Sequence, residues 1–260
     1  MRLSIISPTY NEADNLEPLV KELATVLAGA DYEIVVVDDD SPDLTWKRAE
    51  ELGRCFPQVR SLRRTRNRGL SSAVIEGFNV ARGEMVACMD ADLQHDPLIL
   101  PRMLQELDQG ADLAVGSRYV EGGGTGEWRW YRWLSSWTAT KLARILLHVN
   151  LKDPMSGFFM MRRSDFLEVR DRLDAQGFKI LLDIVAHLQP KRIVEVPYTF
   201  RNRQVGKSKL SGLVVLQYLQ TGCAVILIGF MLYLAFFDTG DWVRSARRNR
   251  EEPVLFAPHK

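Results

Sequence analysis

Short apolar runs alternate with amphipathic stretches from residue 3 to residue 116 of this 260-residue chain. Consecutive apolar residues that are cut off by polar ones are typical of a strand buried on both faces. Such runs predict strands near residues 3–7, 34–37, 59–62, 86–89 and 113–116. Apolar residues at helical spacing predict helices between them, near residues 11–27, 45–55, 69–82 and 97–109. This alternation predicts an α/β fold with a mostly parallel central sheet, wound as in nucleotide-binding proteins.

The second half of the chain is less regular. It predicts a loop running into a strand over residues 153–161, a helix near residues 178–185 and a last strand at residues 193–197. Residues 128–147 hold four of the six tryptophans together with basic side chains. They predict an interfacial amphipathic helix, with an ordinary aromatic core helix as the alternative.

Residues 210–237 contain no charged side chain and are long enough to span a bilayer. Polar residues in the first half of this stretch leave a segment lying on the membrane as the alternative. We therefore expect a globular domain over residues 1–209, a membrane-associated or transmembrane segment over residues 210–237 and a basic tail over residues 238–260.

Composition narrows the class of protein. Apolar residues make up 46% of the chain, which is enough for the core of a large α/β domain. The formal net charge of +1 gives no case for a nucleic-acid partner, whereas local basic clusters at residues 60–68, 129–144 and 201–209 suit an anionic substrate. Three cysteines without metal or disulfide spacing favour a reducing compartment, and the first ten residues lack a secretory-signal pattern. We therefore expect the domain over residues 1–209 to lie on the cytoplasmic side of a membrane.

Two carboxylates one residue apart, Asp90 and Asp92, stand where the apolar run of residues 86–89 stops. Because strand side chains alternate between faces, we expect both carboxylates to point in one direction at the carboxyl end of the strand. Gln94 adds an amide oxygen on the same side. Mg²⁺ and Mn²⁺ prefer such oxygen ligands and share them with substrate phosphates. The pattern predicts a divalent metal site, with a strand-ending turn that caps a helix as the alternative.

A second acidic stretch, residues 38–43, follows the run at residues 34–37 and should lie at the same edge of the sheet. No Gly-x-Gly-x-x-Gly or Gly-Lys-Ser/Thr motif follows the first predicted strand. We therefore expect the phosphates of a ligand to be held by a metal and basic side chains rather than by a glycine-rich loop.

Several short motifs occur in order along the chain. They are Pro8-Thr9-Tyr10-Asn11-Glu12, Val37-Asp38-Asp39-Asp40-Ser41-Pro42-Asp43, Asn67-Arg68-Gly69-Leu70, Asp90-Ala91-Asp92-Leu93-Gln94-His95, Gly116-Ser117-Arg118-Tyr119, Ser156-Gly157-Phe158 and residues 200–210. Together they resemble the family-2 glycosyltransferases, and within them the dolichyl-phosphate mannose synthase type.

The resemblance implies a GT-A fold that binds a nucleotide sugar with Mg²⁺ or Mn²⁺. The sugar would pass to a polyprenyl phosphate with inversion of the anomeric carbon. GDP-mannose is the favoured donor, and a UDP-sugar carrying glucose, N-acetylglucosamine or modified arabinose is the alternative. The acceptor implies contact with membrane lipid. A metal-dependent nucleotidyltransferase and a membrane scaffold without turnover are the rival hypotheses.

The resemblance also implies roles for individual residues. The donor's base and ribose would be held by Pro8, Tyr10, Glu12, Val37 and Asp39. The metal and the adjoining part of the donor would be held by Asp90, Ala91, Asp92 and Gln94. The donor pyrophosphate and the acceptor phosphate would meet Arg118, Arg132, Arg203 and Lys209, with Lys179 as a further candidate. Asp92 and the first four of these cations form the predicted catalytic set.

The proposed acceptor explains why no Ser-His-Asp or Cys-His set is needed. A phosphomonoester with a second pKa near ~6 is largely dianionic at neutral pH and can attack without a protein base. His95 is then predicted to be a turn residue rather than a catalyst. The family often reads Leu-Gln-His-Pro-Pro at this point, whereas Asp96 replaces the first proline here.

Overall fold

The computed structural model describes residues 1–126, 151–175 and 180–202, and these build one seven-stranded sheet in the order β3-β2-β1-β4-β6-β5-β7. The strands are β1 Leu3–Thr9, β2 Tyr32–Asp38, β3 Val59–Arg63, β4 Met85–Cys88, β5 Leu113–Ser117, β6 Phe159–Arg162 and β7 Ile193–Pro197. Among the described strands, only β6 runs antiparallel to its neighbours, β4 and β5. The predicted α/β class with a mostly parallel sheet is confirmed.

Helices cover both faces of the sheet. They are α1 Ala13–Val26, α2 Thr45–Cys55, α3 Leu70–Val80, α4 Leu100–Asp108, α5 Arg163–Val169 and α6 Ile180–Leu188. Apolar side chains of α1, α2 and α4 form one core with Ile5 and Val36, while those of α3, α5 and α6 form the other with Ile6 and Val35. Successive strand residues enter opposite cores because their side chains alternate in direction.

Two features differ from the sequence prediction. Helix α5 was not predicted, because its seven residues are too few to establish a helical period. Strand β4 ends at Cys88, so Asp90 and Asp92 lie in a loop beyond it, and the strand-based reason for their common direction is wrong. Burial of the side chains still alternates along residues 89–93. Met89, Ala91 and Leu93 are each buried in the core, and the polar residues between them are not.

The membrane predictions fall largely outside the described residues. Residues 128–147, 210–237 and 238–260 all lie there, as does the boundary expected at residue 209. Within the part of the chain that the structure describes, no helix combines the length and apolar character needed to cross a bilayer.

Candidate active site

Three parallel strands bring the predicted site residues to one edge of the sheet. In the register of β1, Thr9 lies opposite Asp38 of β2, and Ile6 lies opposite Cys88 of β4. Beyond the strands, the amide of Asp39 donates to the carbonyl of Thr9 at 3.2 Å. The hydroxyl of Ser7 donates to the carbonyl of Met89 at 2.9 Å. Both acidic stretches therefore flank the end of β1, as expected for parallel strands.

The acidic residues after β2 have different surroundings. Asp38 is fully buried and accepts hydrogen bonds from the Thr9 hydroxyl and from the Ser41 amide and hydroxyl, which makes it an internal brace. Asp39 is only partly buried and accepts a 2.7 Å hydrogen bond from the amide of Gly69. Burial raises the pKa of the Asp39 carboxyl despite this bond and the nearby charge of Arg64. Of these two carboxylates, Asp39 is the one placed to meet a ligand.

Arg64 organises the loop beside Asp39, although the sequence analysis did not select it. Its guanidinium is buried, pairs with Asp39 at 3.1 Å and donates to the carbonyls of Asn67 and Gly69. Asn67 and Gly69 both have positive φ, at 51° and 144°, so the loop depends on such outside support. Arg64 belongs to the basic cluster at residues 60–68, and only its burial distinguishes it from its solvated neighbours.

The other residues predicted to hold the base and ribose lie around the same edge. Tyr10 is exposed, Pro8 is partly buried, and Glu12 is buried and accepts a 2.6 Å hydrogen bond from the Asn15 side-chain amide. Val37 differs from them, because its side chain is wholly buried in the core. Only the main chain of Val37 can face a ligand.

The predicted metal residues lie in residues 89–96, which we call the acidic loop. Asp92 accepts a 3.1 Å hydrogen bond from the Gln94 amide, and Leu93 between them has a φ of 62°. The Gln94 side-chain nitrogen donates to the carbonyl of Arg201 at 3.0 Å. Ala91 is buried in the core, so only its main chain can contact a substrate. The two carboxylates thus stand on a turn that is anchored from below by apolar side chains.

The acidic loop rests on an aromatic cluster. His95 is buried, stacks on Phe158 at 5.1 Å between ring centroids and meets the edges of Tyr198 and Phe200. Its Nδ1 accepts a 3.1 Å hydrogen bond from the amide of Asp90. Burial lowers the pKa of His95 to about 4, which keeps the ring neutral and Nδ1 available as an acceptor. These contacts fit the predicted role of a turn residue.

Arg118 is held by a buried carboxylate that the sequence analysis did not select. Its Nε and one terminal nitrogen donate to the two oxygens of Asp153, each at 2.7 Å. Asp153 is fully buried, and its own amide donates to Glu195 at 3.0 Å. Burial alone would lower the pKa of Arg118, but the hydrogen bonds and charge of Asp153 raise it, so the guanidinium stays charged. Asp153 stands three residues before the Ser156-Gly157-Phe158 motif, which was the available signal.

The remaining predicted site residues cannot be placed. Arg132, Lys179, Arg203 and Lys209 lie outside the described residues. Their proposed contacts with phosphate groups therefore stay predictions.

The residues present fit a hard divalent cation. Asp90 and Asp92 supply carboxylate oxygens, and the Asp90 side chain is 40% exposed, so a ligand can reach it. Gly157 faces Asp90 so closely that a Cβ there would lie 3.3 Å from a carboxylate oxygen. No group of three or more His, Cys, Asp or Glu side chains suited to a metal occurs within residues 1–126, 151–175 and 180–202. Mg²⁺ commonly binds to one or two carboxylates and completes its ligand set with water and substrate phosphates.

Solved structures share this fold. The glucosyl-3-phosphoglycerate synthase from Mycobacterium tuberculosis, solved in complex with Mn²⁺, UDP and glucosyl-3-phosphoglycerate, is similar over 88% of this chain and 79% of its own, with a TM-score of 0.62. The sequences are 21% identical, so the likeness shows the fold alone. The architecture is of the GT-A type, with a mostly parallel mixed sheet.

Sequence relatives are closer. The dolichol-phosphate mannosyltransferase of Pyrococcus furiosus is 47% identical over 85% of this chain, which spans 62% of that relative's length. The protein of the same description from Saccharomyces cerevisiae is 40% identical over 84% of each chain. The polyprenol monophosphomannose synthase of Mycolicibacterium smegmatis is 41% identical over 81% of this chain and 82% of its own.

The family assignment covers most of the residues that gather at the sheet edge. The sequence profile described as "Glycosyl transferase family 2" matches residues 4–170, which include all but the first residue of β1, strands β2 to β6, both acidic stretches and the Arg118–Asp153 pair. A match over more than half of the chain, together with relatives at 40–47% identity, leaves one conclusion: the chain belongs to glycosyl transferase family 2.

Proposed function

We propose that this protein transfers mannose from GDP-mannose to a polyprenyl phosphate at the cytoplasmic face of a membrane, inverting the anomeric carbon. The observation that carries the proposal is the meeting of three features at one sheet edge: the Asp39 carboxylate held by Gly69, the acidic loop and the Arg118–Asp153 pair. The relatives at 40–47% identity are described as dolichol-phosphate mannosyltransferases or as a polyprenol monophosphomannose synthase, which supports this choice of sugar and acceptor.

The nucleoside would bind between the end of β1 and the loop held by Arg64. Tyr10 offers an exposed ring there, and Asp39 offers a carboxylate that can accept hydrogen bonds from a base or ribose. The main chain of Val37, with Pro8 and Glu12, would complete this pocket. Because Gly69 already donates to Asp39, the position of the carboxylate is fixed before a ligand arrives.

Asp90 and Asp92, with the amide oxygen of Gln94, would hold Mg²⁺ or Mn²⁺ next to the main chain of Ala91. When bound, the cation would neutralise negative charge on the departing nucleoside diphosphate. The chain's own contribution is to hold the two carboxylates apart from the core. Burial of Met89, Ala91 and Leu93, and the hydrogen bond from Asp90 to His95, provide that support.

The acceptor phosphate would approach the cationic side of the site. Arg118 stays charged and is fixed in orientation by two hydrogen bonds to Asp153, so it can meet a phosphate without reorganising. Arg132, Arg203, Lys209 and Lys179 are proposed to supply further positive charge. No protein base is required, because the acceptor phosphate is itself the nucleophile.

The proposed lipid acceptor requires the active site to work at a membrane surface. Residues 128–147 are proposed to lie in the interface, and residues 210–237 to anchor the chain in lipid. Nucleotide sugars are cytoplasmic, so the catalytic domain would lie on the cytoplasmic side.

A transfer assay tests the proposal directly. The full chain in detergent micelles with polyprenyl phosphate and Mn²⁺ should form mannosyl phosphate lipid from GDP-mannose and release GDP. UDP-glucose and UDP-N-acetylglucosamine, offered at equal concentration, should be poor donors. Preference for a UDP-sugar would overturn the choice of donor. Release of inorganic pyrophosphate from a nucleoside triphosphate, without sugar transfer, would favour a nucleotidyltransferase instead.

A further inference from the structure

A segment that approaches the active site from the carboxyl side lies directly against the acidic loop. We call residues 198–202 the return segment, since they bring the chain back from β7 to the metal-binding side. The amide of Arg201 donates to the carbonyl of Gln94 at 2.9 Å, and the Gln94 side chain donates to the carbonyl of Arg201 at 3.0 Å. Tyr198 and Phe200 also pack on the ring of His95. The backbone position of Arg201 is thereby tied to Gln94.

The Arg201 side chain adds a second tie. Its guanidinium donates to Asp96 at 2.7 Å and to Glu22 of α1 at 2.6 Å. The same Asp96 oxygen accepts a 3.1 Å hydrogen bond from the amide of Leu98 and so caps the short helix that follows. One arginine therefore joins helix α1, the acidic loop and the return segment.

This ion pair depends on the side chain of Asp96. Asp96 occupies the place where the resembled family often has proline, and proline has no side-chain acceptor for Arg201. All three charged side chains are between 23% and 33% exposed, and pairs of that exposure contribute little to the free energy of unfolding, about 0–1 kcal/mol. The contact is thus better suited to fixing a geometry than to stabilising the fold.

The position of the return segment affects a proposed phosphate-binding residue that follows it in the sequence. Arg203 follows Arg201 by two residues in the sequence. Arg203 is among the cations proposed to meet the phosphates. A displacement of the return segment would therefore move the starting point of that cationic stretch relative to Asp90 and Asp92.

We propose that Arg201 and Asp96 are positioning residues, whose ion pair sets the return segment against the acidic loop and so places the acceptor phosphate relative to the donor. The inference rests on the proposed function, because it needs a phosphate acceptor. It predicts that breaking the pair impairs use of the acceptor and leaves nucleotide binding unchanged.

The test compares three variants of the full chain with a matched control. Arg201→Ala removes the cation, and Asp96→Ser removes the anion while keeping a side chain that can cap the following helix. The double variant Asp96→Ser/Arg201→Ala completes a cycle. Arg48→Ala is the control, because Arg48 of α2 pairs with Glu17 of α1 and is similarly exposed but lies away from the acidic loop.

Each single variant should lower kcat/KM for polyprenyl phosphate about tenfold, since small misplacements of a reacting group have effects of that order or larger. The double variant should be no worse than the singles, because both remove the same contact. GDP affinity in the presence of Mn²⁺ should stay within about twofold of the wild type, as should every value for Arg48→Ala.

Additive losses, or an equal loss of GDP affinity, would overturn the positioning role. Hydrogen exchange of the peptide containing residues 198–202 gives a readout that needs no substrate. Exchange should be faster in Asp96→Ser and Arg201→Ala than in Arg48→Ala, and unchanged exchange would also count against the proposal. If Arg201→Ala does not fold, Asp96→Ser carries both measurements. A wild-type protein that transfers no sugar would instead refute the proposed function. The exchange result would still show whether the Arg201–Asp96 ion pair holds the return segment against the acidic loop.

Discussion

At the scale of single residues, carboxylates at one sheet edge are distinguished by their surroundings. Asp38 is buried among hydroxyl and amide donors, whereas Asp90 is substantially exposed beside Gly157. The same type of side chain therefore stabilises the fold at Asp38 and is a candidate metal ligand at Asp90. The difference depends on burial and on donors from other parts of the chain.

Asp92→Asn should abolish most sugar transfer and leave the fold intact. The change removes a negative charge from the proposed metal site but no core contact, and we expect kcat to fall roughly 100-fold or more. The transfer assay and a thermal melt of the same preparation measure the two effects. Asp31→Asn, at an exposed turn, is the control. Wild-type turnover by Asp92→Asn would refute the metal assignment.

Glu33 offers a pH-dependent test away from the site. Burial would raise the pKa of this buried carboxyl, but hydrogen bonds from Ser4, Arg60 and the Arg82 amide lower it. Because the folded-state pKa is lowered, the ionised carboxyl stabilises the fold at pH values above the unfolded-state pKa. This stabilisation is lost as the pH falls through the folded-state pKa. Glu33→Gln should therefore lower the free energy of unfolding by about 1–2 kcal/mol at pH 7.

The difference between wild type and Glu33→Gln should be complete above the unfolded-state pKa of glutamate, about 4.3, and should shrink as the pH falls below it through the lower folded-state pKa of Glu33. Urea unfolding at several pH values measures it. A difference that is the same at pH 7 and at acid pH would show that the charge of Glu33 does not contribute.

At the scale of elements, helix α3 lies unusually close to the sheet. A Cβ on Gly77 would stand 2.4 Å from a methyl group of Ile6 and 3.0 Å from one of Val37. The glycine therefore permits a contact between helix and strands that any side chain would push apart.

Gly77→Ala should destabilise the fold by about 1–3 kcal/mol, because overpacking outweighs the better helix propensity of alanine. Asn79→Ala, on the exposed side of the same helix, is the control and should change the free energy of unfolding by less than about 0.5 kcal/mol. Denaturant titrations of both variants measure the effect. A stabilised Gly77→Ala protein would mean that helix and sheet are less closely packed than the structure shows.

At the scale of the whole molecule, the proposed function requires a soluble donor and a lipid acceptor to meet at one sheet edge. The nucleotide motifs from Pro8 to Asp92 all precede residues 210–237, the segment proposed as the membrane anchor. Anchoring and nucleotide binding should therefore be separable.

Deletion of residues 211–260 should release most of the protein from membranes and preserve GDP binding. About 20 apolar residues suffice to cross the hydrocarbon core, and the deletion removes the stretch that has them. Fractionation after high-salt and carbonate washing, followed by a GDP-binding assay on the soluble fraction, measures both. If the truncated protein stayed wholly in the membrane fraction, residues 128–147 would have to be the principal anchor.

The sequence by itself determined the alternation of strands and helices, the acidic ends of β2 and β4 and the family. These follow from periods of two and 3.6 residues and from ordered motifs, which are local properties of the chain. Although β4 ends at Cys88, the burial of Met89, Ala91 and Leu93 continues the predicted alternation of buried and more accessible side chains.

Tertiary structure decided which distant side chains meet. Arg118 and Asp153 are 35 residues apart, and Arg201 lies 105 residues from Asp96. The insertion of antiparallel β6 between β4 and β5 brings Phe158 and Gly157 beneath the acidic loop. No local period encodes such pairings, because they depend on which elements pack together and on which charges become buried in doing so.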